Sequence, residues 1–140
     1  MDFNLTTYIR SEKAKQYGFL EQYSPPDDVV RSLRTLHNAV IVPIYNAYKG
    51  CNIIITSGYR CERLNKIVGG AANSQHKTGQ AVDIVVYLHG VNITDKVFFY
   101  VRDNLIFDQL IWEKGDAKMP QWIHISYNAG SNRQQIIVNK

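Results

Sequence analysis

A carboxylate lies in the middle of the most strand-like apolar segment of the chain, which runs from Ala81 to Tyr87. The β-branched residues around Asp83 favour an extended conformation within a sheet. An ionised carboxylate removed from water without a partner is so costly that it protonates, pairs with a cation or binds a metal. This segment therefore predicts a buried strand whose Asp83 has a cation nearby, unless its side chain faces solvent.

A second strand-like segment, Trp122 to Ser126, carries a histidine on its polar face. Because successive side chains of a strand alternate between its two faces, Asp83 and His124 each lie opposite branched apolar residues. If the two strands are neighbours with their polar faces aligned, these two side chains converge.

A third candidate comes from the loop before the first of these strands. Residues 73–79 have turn composition, and Gly79 allows the chain to reverse so that His76 can fold back over the strand. Two imidazoles and one carboxylate suit Zn²⁺ and leave a fourth position for water, as catalytic zinc requires. A single histidine or strand aspartate is more often structural, however, so the pattern by itself leaves both interpretations open.

The order of the predicted elements indicates the fold class. Helical patterns precede Gly50 and strand patterns mostly follow it, which predicts an α+β domain with a small antiparallel sheet packed against N-terminal helices. Pro43 should kink or break the longest helix, because its ring removes a backbone donor. The predicted helices are residues 5–17, a long helix capped by Asp27 or Asp28 and stopped by Gly50, 60–68 and 94–104. The predicted strands are residues 53–56, 80–88, 107–113, 121–127 and 134–138.

Composition narrows the classes of protein to consider. The 140 residues, 45% of them apolar, contain no linker or repeat, so we expect one domain over residues 1–140. No segment has the ~20 apolar residues of a membrane span, and the net charge of +4 comes from scattered residues. We therefore expect a monomer with no membrane or nucleic-acid partner.

Cys51 and Cys61 lack the spacing of a thiolate metal site, and two reduced thiols are favoured over a disulfide.

Several short motifs together resemble a known family. They are Ser57-Gly58-Tyr59-Arg60, Leu64-Asn65, Val68-Gly69-Gly70, Ser74-Gln75-His76 with Gly79, Ala81 and Asp83, Trp122-Ile123-His124-Ile125-Ser126, and the late Asn132-Arg133. This set resembles the zinc D-alanyl-D-alanine carboxypeptidase family, which includes phage endolysins, and within it the compact single-domain subgroup. The resemblance covers most of the chain.

The resemblance implies a ligand set, a fold and a substrate. It implies zinc bound by His76, Asp83 and His124, and a fold shared with the hedgehog signalling domain and the vancomycin-resistance dipeptidases. It further implies that the substrate is the stem peptide of bacterial peptidoglycan.

The expected hydrolysis needs a carboxylate that accepts a proton from the attacking water. Many relatives carry an acid three residues before the last histidine, where this chain has Gln121. The nearest replacement is Glu113, which strand alternation places away from Leu110 and Trp112, and the compact subgroup carries a glutamate at a comparable place. We take Glu113 as the predicted base and Asp116 as its substitute, although a glutamate at a strand end is often only solvated.

Three further residues are candidates for contact with the substrate. Arg60 matches the arginine that relatives place near the substrate carbonyl or terminal carboxylate, where a planar guanidinium suits either group. The alternative is a surface arginine at the start of a helix. Ser74 and Gln75 are expected to shape the His76 loop or to contact substrate, because no base adjoins Ser74 to make it a nucleophile.

Two functional hypotheses follow. The first is a zinc peptidase of the bacterial cell wall, either a D,D-carboxypeptidase or an endopeptidase, such as a phage or prophage lysin. Residues 1–13 lack the pattern of a signal peptide, so we expect a protein that stays in the cytoplasm until release, or is phage-associated. The second, motivated by Gln121, is a non-catalytic cell-wall or protein-binding module that keeps the fold and the zinc.

Overall fold

The first third of the chain is helical, as the sequence predicts. The structure, a computed structural model, describes residues 1–140. Its α-helices are α1 (Leu5–Ile9), α2 (Glu12–Tyr17), α3 (Asp27–Leu36), α4 (Val42–Ala47), α5 (Glu62–Ile67) and α6 (Thr94–Asn104), with single 3-10 turns at Leu20–Tyr23 and Gln75–Thr78. None of these helices combines the length and the apolar character that crossing a bilayer requires.

Two details of the helical region differ from the prediction. The helix expected over residues 5–17 is divided, because Arg10 is extended and Ser11 caps α2 by accepting a hydrogen bond from Ala14 N at 3.1 Å. Neither Asp27 nor Asp28 caps the long helix: Pro26 precedes the first helical residue, and both carboxylates lie in the first turn. There they face the positive end of the helix dipole.

The expected disturbance at Pro43 takes the form of a wider helical turn. Residues His37–Ile41 form a π-helix between α3 and α4, and Pro43 occupies the first turn of α4. A proline is tolerated at that place because the donor it lacks would have no partner within α4. The helical path therefore continues to Ala47 with a local change of pitch.

The strands form one mixed sheet. They are β1 (Asn52–Ser57), β2 (Ala81–Leu88), β3 (Val91–Asn92), β4 (Gln109–Glu113), β5 (Trp122–Ser126) and β6 (Gln135–Asn139). The order across the sheet is β1-β2-β5-β4-β6, with β3 paired to β2 in a short hairpin that the sequence patterns did not reveal. The α+β class, with a small sheet and N-terminal helices, is confirmed.

The last strand departs from the antiparallel arrangement. β6 runs parallel to β4, whereas every other neighbouring pair is antiparallel. The end of β5 lies beside the start of β4, and the connection 127–134 passes below that point, where Gln134 N donates to Phe107 O and Gln135 N to Asp108 O, each at 3.0 Å. The connection therefore reaches the outer edge of β4 at the end where β4 begins. The strand that follows it, β6, runs in the same direction as β4.

The two faces of the sheet differ in character. One face packs against α6 and the N-terminal helices, and its central residues are wholly buried: Val82, Ile84, Val86, Leu110, Ile123 and Ile125. Burying each such side chain contributes about 1.5–3 kcal/mol. The opposite face carries Asp83, His124 and Glu113. The buried free thiols of Cys51 and Cys61 agree with the reduced state expected for them.

Candidate metal centre

The strand register places Asp83 directly opposite His124. β2 and β5 are antiparallel neighbours in which these residues are Cα partners, and alternation turns both side chains away from the helices. The condition on which periodicity predicted their convergence, that the two strands are aligned neighbours, is therefore met. Neither residue depends on a flexible loop for its position.

His76 reaches the same point from a short 3-10 turn above the sheet. Ser74 Oγ accepts a hydrogen bond from His76 N at 3.2 Å and so begins the turn, and Gly79 ends it at φ 74°. A Cβ at Gly79 would lie 2.6 Å from Val29 O, so only glycine fits this contact with α3. Ser74 thus shapes the loop, which is one of the two roles expected for it.

The orientation of the His76 ring is fixed from behind. Its Nδ1–H donates to Gly58 O at 2.8 Å, which turns Nε2 toward Asp83. Metal-binding histidines commonly donate their second ring N–H in this way, which fixes the tautomer and the ring orientation. Only glycine fits at position 58, because a Cβ there would lie 2.3 Å from Tyr8 O in α1.

The distances among the three side chains fit a zinc ion. His124 Nδ1 lies 3.0 Å and His76 Nε2 lies 3.4 Å from the same oxygen, Asp83 Oδ1, and the three ligand atoms all lie within 4.8 Å of one another. Zinc bonds of about 2.0–2.2 Å in a tetrahedral site put ligand atoms about 3.3–3.6 Å apart. The donor set and its spacing therefore suit Zn²⁺ with only a small adjustment of the side chains.

Asp83 stays ionised in this environment. Burial alone raises the pKa of a carboxyl group, but the hydrogen bonds from His124 and His76 outweigh it and hold the pKa of Asp83 well below its usual range. The carboxylate is 7% exposed. A buried anion facing two imidazole nitrogens is the arrangement that a divalent cation requires.

Arg60 lies on the other side of the same carboxylate. Its Nη2 is 3.6 Å from Asp83 Oδ2, while Nε donates to Ser57 Oγ at 3.1 Å and Nη1 to Asn65 Oδ1 at 3.4 Å. Burial lowers the pKa of Arg60, and the charge of Asp83 opposes that shift. Sequence reasoning did not assign the buried Asn65 a role, although it belongs to the quoted motifs.

A β-bulge delivers this group of residues to the site. The pairing of β1 with β2 shifts between Ile55 and Ser57, so that Ser57 lies opposite Asp83. Bulges re-aim the chain at the edge of a sheet, and here the chain turns at once into Gly58 and Arg60. The bulge thus determines the positions of two groups: the carbonyl of Gly58, which contacts His76, and the guanidinium of Arg60, which lies beside Asp83.

The three candidate ligands lie on the wall of an open polar cavity of about 460 Å³. Its lining residues are Arg60, Ala71, Asn73, Ser74, Gln75, His76, Asp83, Gln109, Ile111, Glu113, Trp122, His124 and Arg133. The predicted substrate-contact residues Arg60, Ser74 and Gln75 are all among them. Trp122 Nε1 is buried without a hydrogen-bond partner, which makes it the one such side-chain atom in the protein.

The two carboxylates considered as the base lie in different places. Glu113 is the register partner of Trp122, lines the cavity and accepts a hydrogen bond from Asn139 Nδ2 at 2.7 Å. Asp116 does not line this cavity; its Oδ1 accepts from Lys118 N and Met119 N at 2.8 and 2.9 Å. The structure therefore removes Asp116 as a substitute, because a turn holds its carboxylate elsewhere.

Gln121, which occupies the place where many relatives carry an acid, lies outside the cavity. Gln121 is exposed and does not line the cavity, and its N–H donates to Glu113 O at 3.0 Å. An offset of three residues from His124 lies on the opposite face of a regular strand. Glu113, on the neighbouring strand β4, lies on the same face of the sheet as His124 and lines the cavity.

One charged cluster at the rim was not foreseen as a unit. Asp108 is 2% exposed and accepts hydrogen bonds from Arg133 Nε and Nη2 at 2.8 and 2.9 Å, and from Gln75 Nε2 at 3.0 Å. The Arg133 bonds, reinforced by that of Gln75, lower the pKa of Asp108 to about 2 against the effect of burial. Asp108, like Asp83, is a carboxylate next to an apolar residue in a predicted strand. The argument that a buried carboxylate needs a partner could therefore have identified Asp108 as well, although not the residues it pairs with.

Comparison with known proteins agrees with these observations. The family model described as Peptidase M15 matches residues 26–126, more than two thirds of the chain, and this range includes His76, Asp83, His124, Arg60 and Glu113. A search of the curated proteins found no match. The matched family is zinc-dependent, in agreement with the donor set found in the cavity.

Proposed function

The chain belongs to the peptidase M15 family, and on this premise we propose that it hydrolyses peptide bonds in the stem peptides of bacterial peptidoglycan. Family membership gives the coarser part, a zinc metallopeptidase. The proposal adds the substrate and the residues: His76, Asp83 and His124 bind zinc, and Glu113 is the catalytic base.

One observation carries the proposal. Three side chains with ligand atoms within 4.8 Å of one another line an open polar cavity that is also lined by a further carboxylate, Glu113. A structural zinc site has four protein ligands and is closed to solvent, whereas this one offers three and faces the cavity. Three ligands and a further carboxylate on the wall of one cavity suit metal-assisted hydrolysis.

Each residue has a distinct part in the proposed reaction. Zinc, when bound, supplies a Lewis acid that polarises the scissile carbonyl and lowers the pKa of water toward neutrality. Glu113 accepts the proton of the attacking water and passes it to the leaving amine. Asn139 holds Glu113 from the side of β6. Arg60 lies beside Asp83 Oδ2 at 3.6 Å and so leaves Oδ1 facing the imidazoles. From this position Arg60 would contact the substrate carbonyl.

Peptidoglycan is the substrate that the resemblance favours, and the cavity is compatible with it. The cavity is open and mostly polar, and it carries two guanidinium groups, Arg60 and Arg133. A peptide with free carboxylates suits such a surface. Either the terminal bond or a cross-link could be cleaved, so both a carboxypeptidase and an endopeptidase belong to the proposal, as does action on the wall after release from a cell or from a phage.

The test measures metal and hydrolysis together. Purified protein should contain about one zinc per chain, and it should release amines from purified peptidoglycan or from synthetic stem peptides. Chelation should abolish hydrolysis and added zinc should restore it. Protein that holds zinc but hydrolyses neither kind of substrate would refute the proposed activity.

A non-catalytic binding module remains the second candidate, because Gln121 replaces the acid of many relatives. It differs from the first in one measurable respect. A binding module would bind stem peptides with zinc in place and would not hydrolyse them. Glu113→Gln would then leave the binding unchanged. A peptidase would lose turnover in the same variant while it still binds.

A further inference from the structure

Two arginines line the cavity, but they differ in how much of the guanidinium is free. Each nitrogen of Arg60 already faces a protein oxygen, on Ser57, Asn65 or Asp83, and its side chain is 17% exposed. Its charge is therefore committed to the metal-side carboxylate, and little of its surface remains for an incoming anion.

Arg133 is held from one side only. Its Nε and Nη2 donate to Asp108, and its backbone N–H donates to Asp108 Oδ1 at 3.0 Å. Nη1 makes no hydrogen bond, and the side chain is 58% exposed where it borders the cavity. A guanidinium has five N–H donors, so the edge of Arg133 that is turned from Asp108 can bind a second carboxylate.

The position of Arg133 is coupled to the metal side of the cavity. Asp108, which is 2% exposed, also accepts from Gln75 Nε2, and Gln75 is the residue before His76. Asp108 therefore fixes Arg133 relative to the loop that carries a candidate ligand. Such preorganisation reduces the entropy lost when a ligand binds.

We propose that Arg133 binds a carboxylate of the peptide substrate, and that Asp108 is the residue that positions it. This inference rests on the proposed function and deepens it, because it makes an anionic peptide the preferred substrate class. The carboxylate can be the C-terminal one or that of an acidic residue within the peptide. Because Asp108 already balances the charge of Arg133, the gain comes mainly from the free N–H donors and is moderate.

The experiment measures the hydrolysis of matched peptides by the wild-type protein and by the Arg133→Gln variant. One pair of stem peptides differs only in a free or amidated C-terminus, and a second pair differs only in an internal glutamate or glutamine. In one of the two pairs, the variant should raise the KM of the acidic peptide about tenfold, the worth of one charge-assisted hydrogen bond. The KM of its amide partner and kcat should stay within about twofold, and the affected pair identifies the carboxylate.

Arg63→Gln is the matched control, because Arg63 also forms a two-pronged pair with a carboxylate, that of Glu21, but does not line the cavity. It should leave every KM unchanged. Equal KM increases for acidic and amide peptides, or no increase in either pair, would overturn the inference and leave Arg133 with a structural role. If Arg133→Gln does not fold, Arg133→Lys carries the same comparison, with a smaller expected increase of about threefold.

Failure of the proposed function gives a different result. If the wild-type protein hydrolyses none of the peptides, dissociation constants of the same four peptides, measured by calorimetry, replace KM. A wild-type preference for the acidic peptide that disappears in Arg133→Gln would support the inference without any turnover. Absence of such a preference would overturn it.

Discussion

Two buried aspartates support the same cavity, Asp83 from its wall and Asp108 from behind the lining residues Gln75 and Arg133, and their partners give them different chemistry. Asp83 faces two imidazoles through Oδ1 and a guanidinium through Oδ2. Asp108 faces a guanidinium and an amide, with no imidazole among its partners. Both carboxyl groups have a lowered pKa, so ionisation alone does not distinguish them.

The difference lies in what each partner can give up. An imidazole can lose its proton and present a lone pair to a metal, whereas a guanidinium in a protein keeps its protons. The Asp83 cluster can therefore exchange its hydrogen bonds for metal ligation. The Asp108 cluster cannot, and it is suited to hold parts of the protein and of a substrate in place.

The largest expected effect is the loss of one imidazole from the Asp83 cluster. His76→Ala should abolish zinc retention and reduce hydrolysis at least ~1000-fold, because two ligands do not hold catalytic zinc. Metal analysis after dialysis and a peptide assay measure both effects. His89→Asn, in an exposed loop at φ 51°, is the control and should retain zinc. A His76 variant with full zinc content would end the distinction between the two clusters.

The next effect concerns the base. Glu113→Gln should lower kcat about 100- to 10,000-fold, because general-base catalysis is lost, while the zinc content stays at one per chain. Asp116→Asn is the matched control, since its carboxylate lies outside the cavity, and kcat should not change. Loss of activity in Asp116→Asn but not in Glu113→Gln would contradict the proposal that Glu113 is the base.

A smaller effect is expected at the arginine that supports Asp83. Arg60→Lys keeps a positive charge but loses the fork that contacts Ser57 and Asn65. Zinc affinity should fall about 10-fold, the lower end of the range for groups that orient ligands. Competition with a chromogenic chelator measures this affinity. Arg10→Lys, an exposed arginine with no ion pair, should bind zinc as the wild type does.

The smallest effect is a pH dependence that belongs to Asp108. Its pKa is lowered from 3.8 to about 2 on folding, so its stabilising contribution is complete above about pH 4 and is lost as the pH falls toward 2. Asp108→Asn should therefore lower the free energy of unfolding by about 1–2 kcal/mol at pH 7, with a difference that shrinks between pH 4 and 2. Urea denaturation at several pH values measures this.

Asp103→Asn serves as its control. Asp103 is exposed and pairs with the neighbouring Arg102, and exposed pairs contribute little to stability. The control should follow the wild-type curve. A constant difference between Asp108→Asn and wild type across this pH range would show that the carboxylate contributes through shape rather than charge.

The sequence contained most of the site because the site lies on regular strands. Alternation in β2 and β5 placed Asp83 and His124 each on the polar face of its strand, and the pairing of the two strands then brings them together. The helix at Thr94–Asn104 was predicted to the residue. The parallel pairing of β6 could not be predicted, since it depends on where the connection 127–134 crosses the sheet.

What escaped the sequence patterns depends on contacts between distant residues. Asp108, Arg133 and Gln75 form a cluster only when three separate segments have folded together. The bulge before Ser57 is equally invisible, because it is a property of strand pairing rather than of one strand. Local periodicity reports which face a side chain occupies, and it carries no information about such pairings.

The placement of β6 has a consequence for how the cavity of this chain is assembled. The family match ends at residue 126, yet Arg133 and Asn139, which contact Asp108 and Glu113, both come after it. The residues that hold Asp108 and Glu113 from this final stretch thus lie in a different part of the chain from the three candidate metal ligands. We therefore expect substitutions in residues 127–140 to change one side of the cavity while the candidate metal ligands remain unchanged.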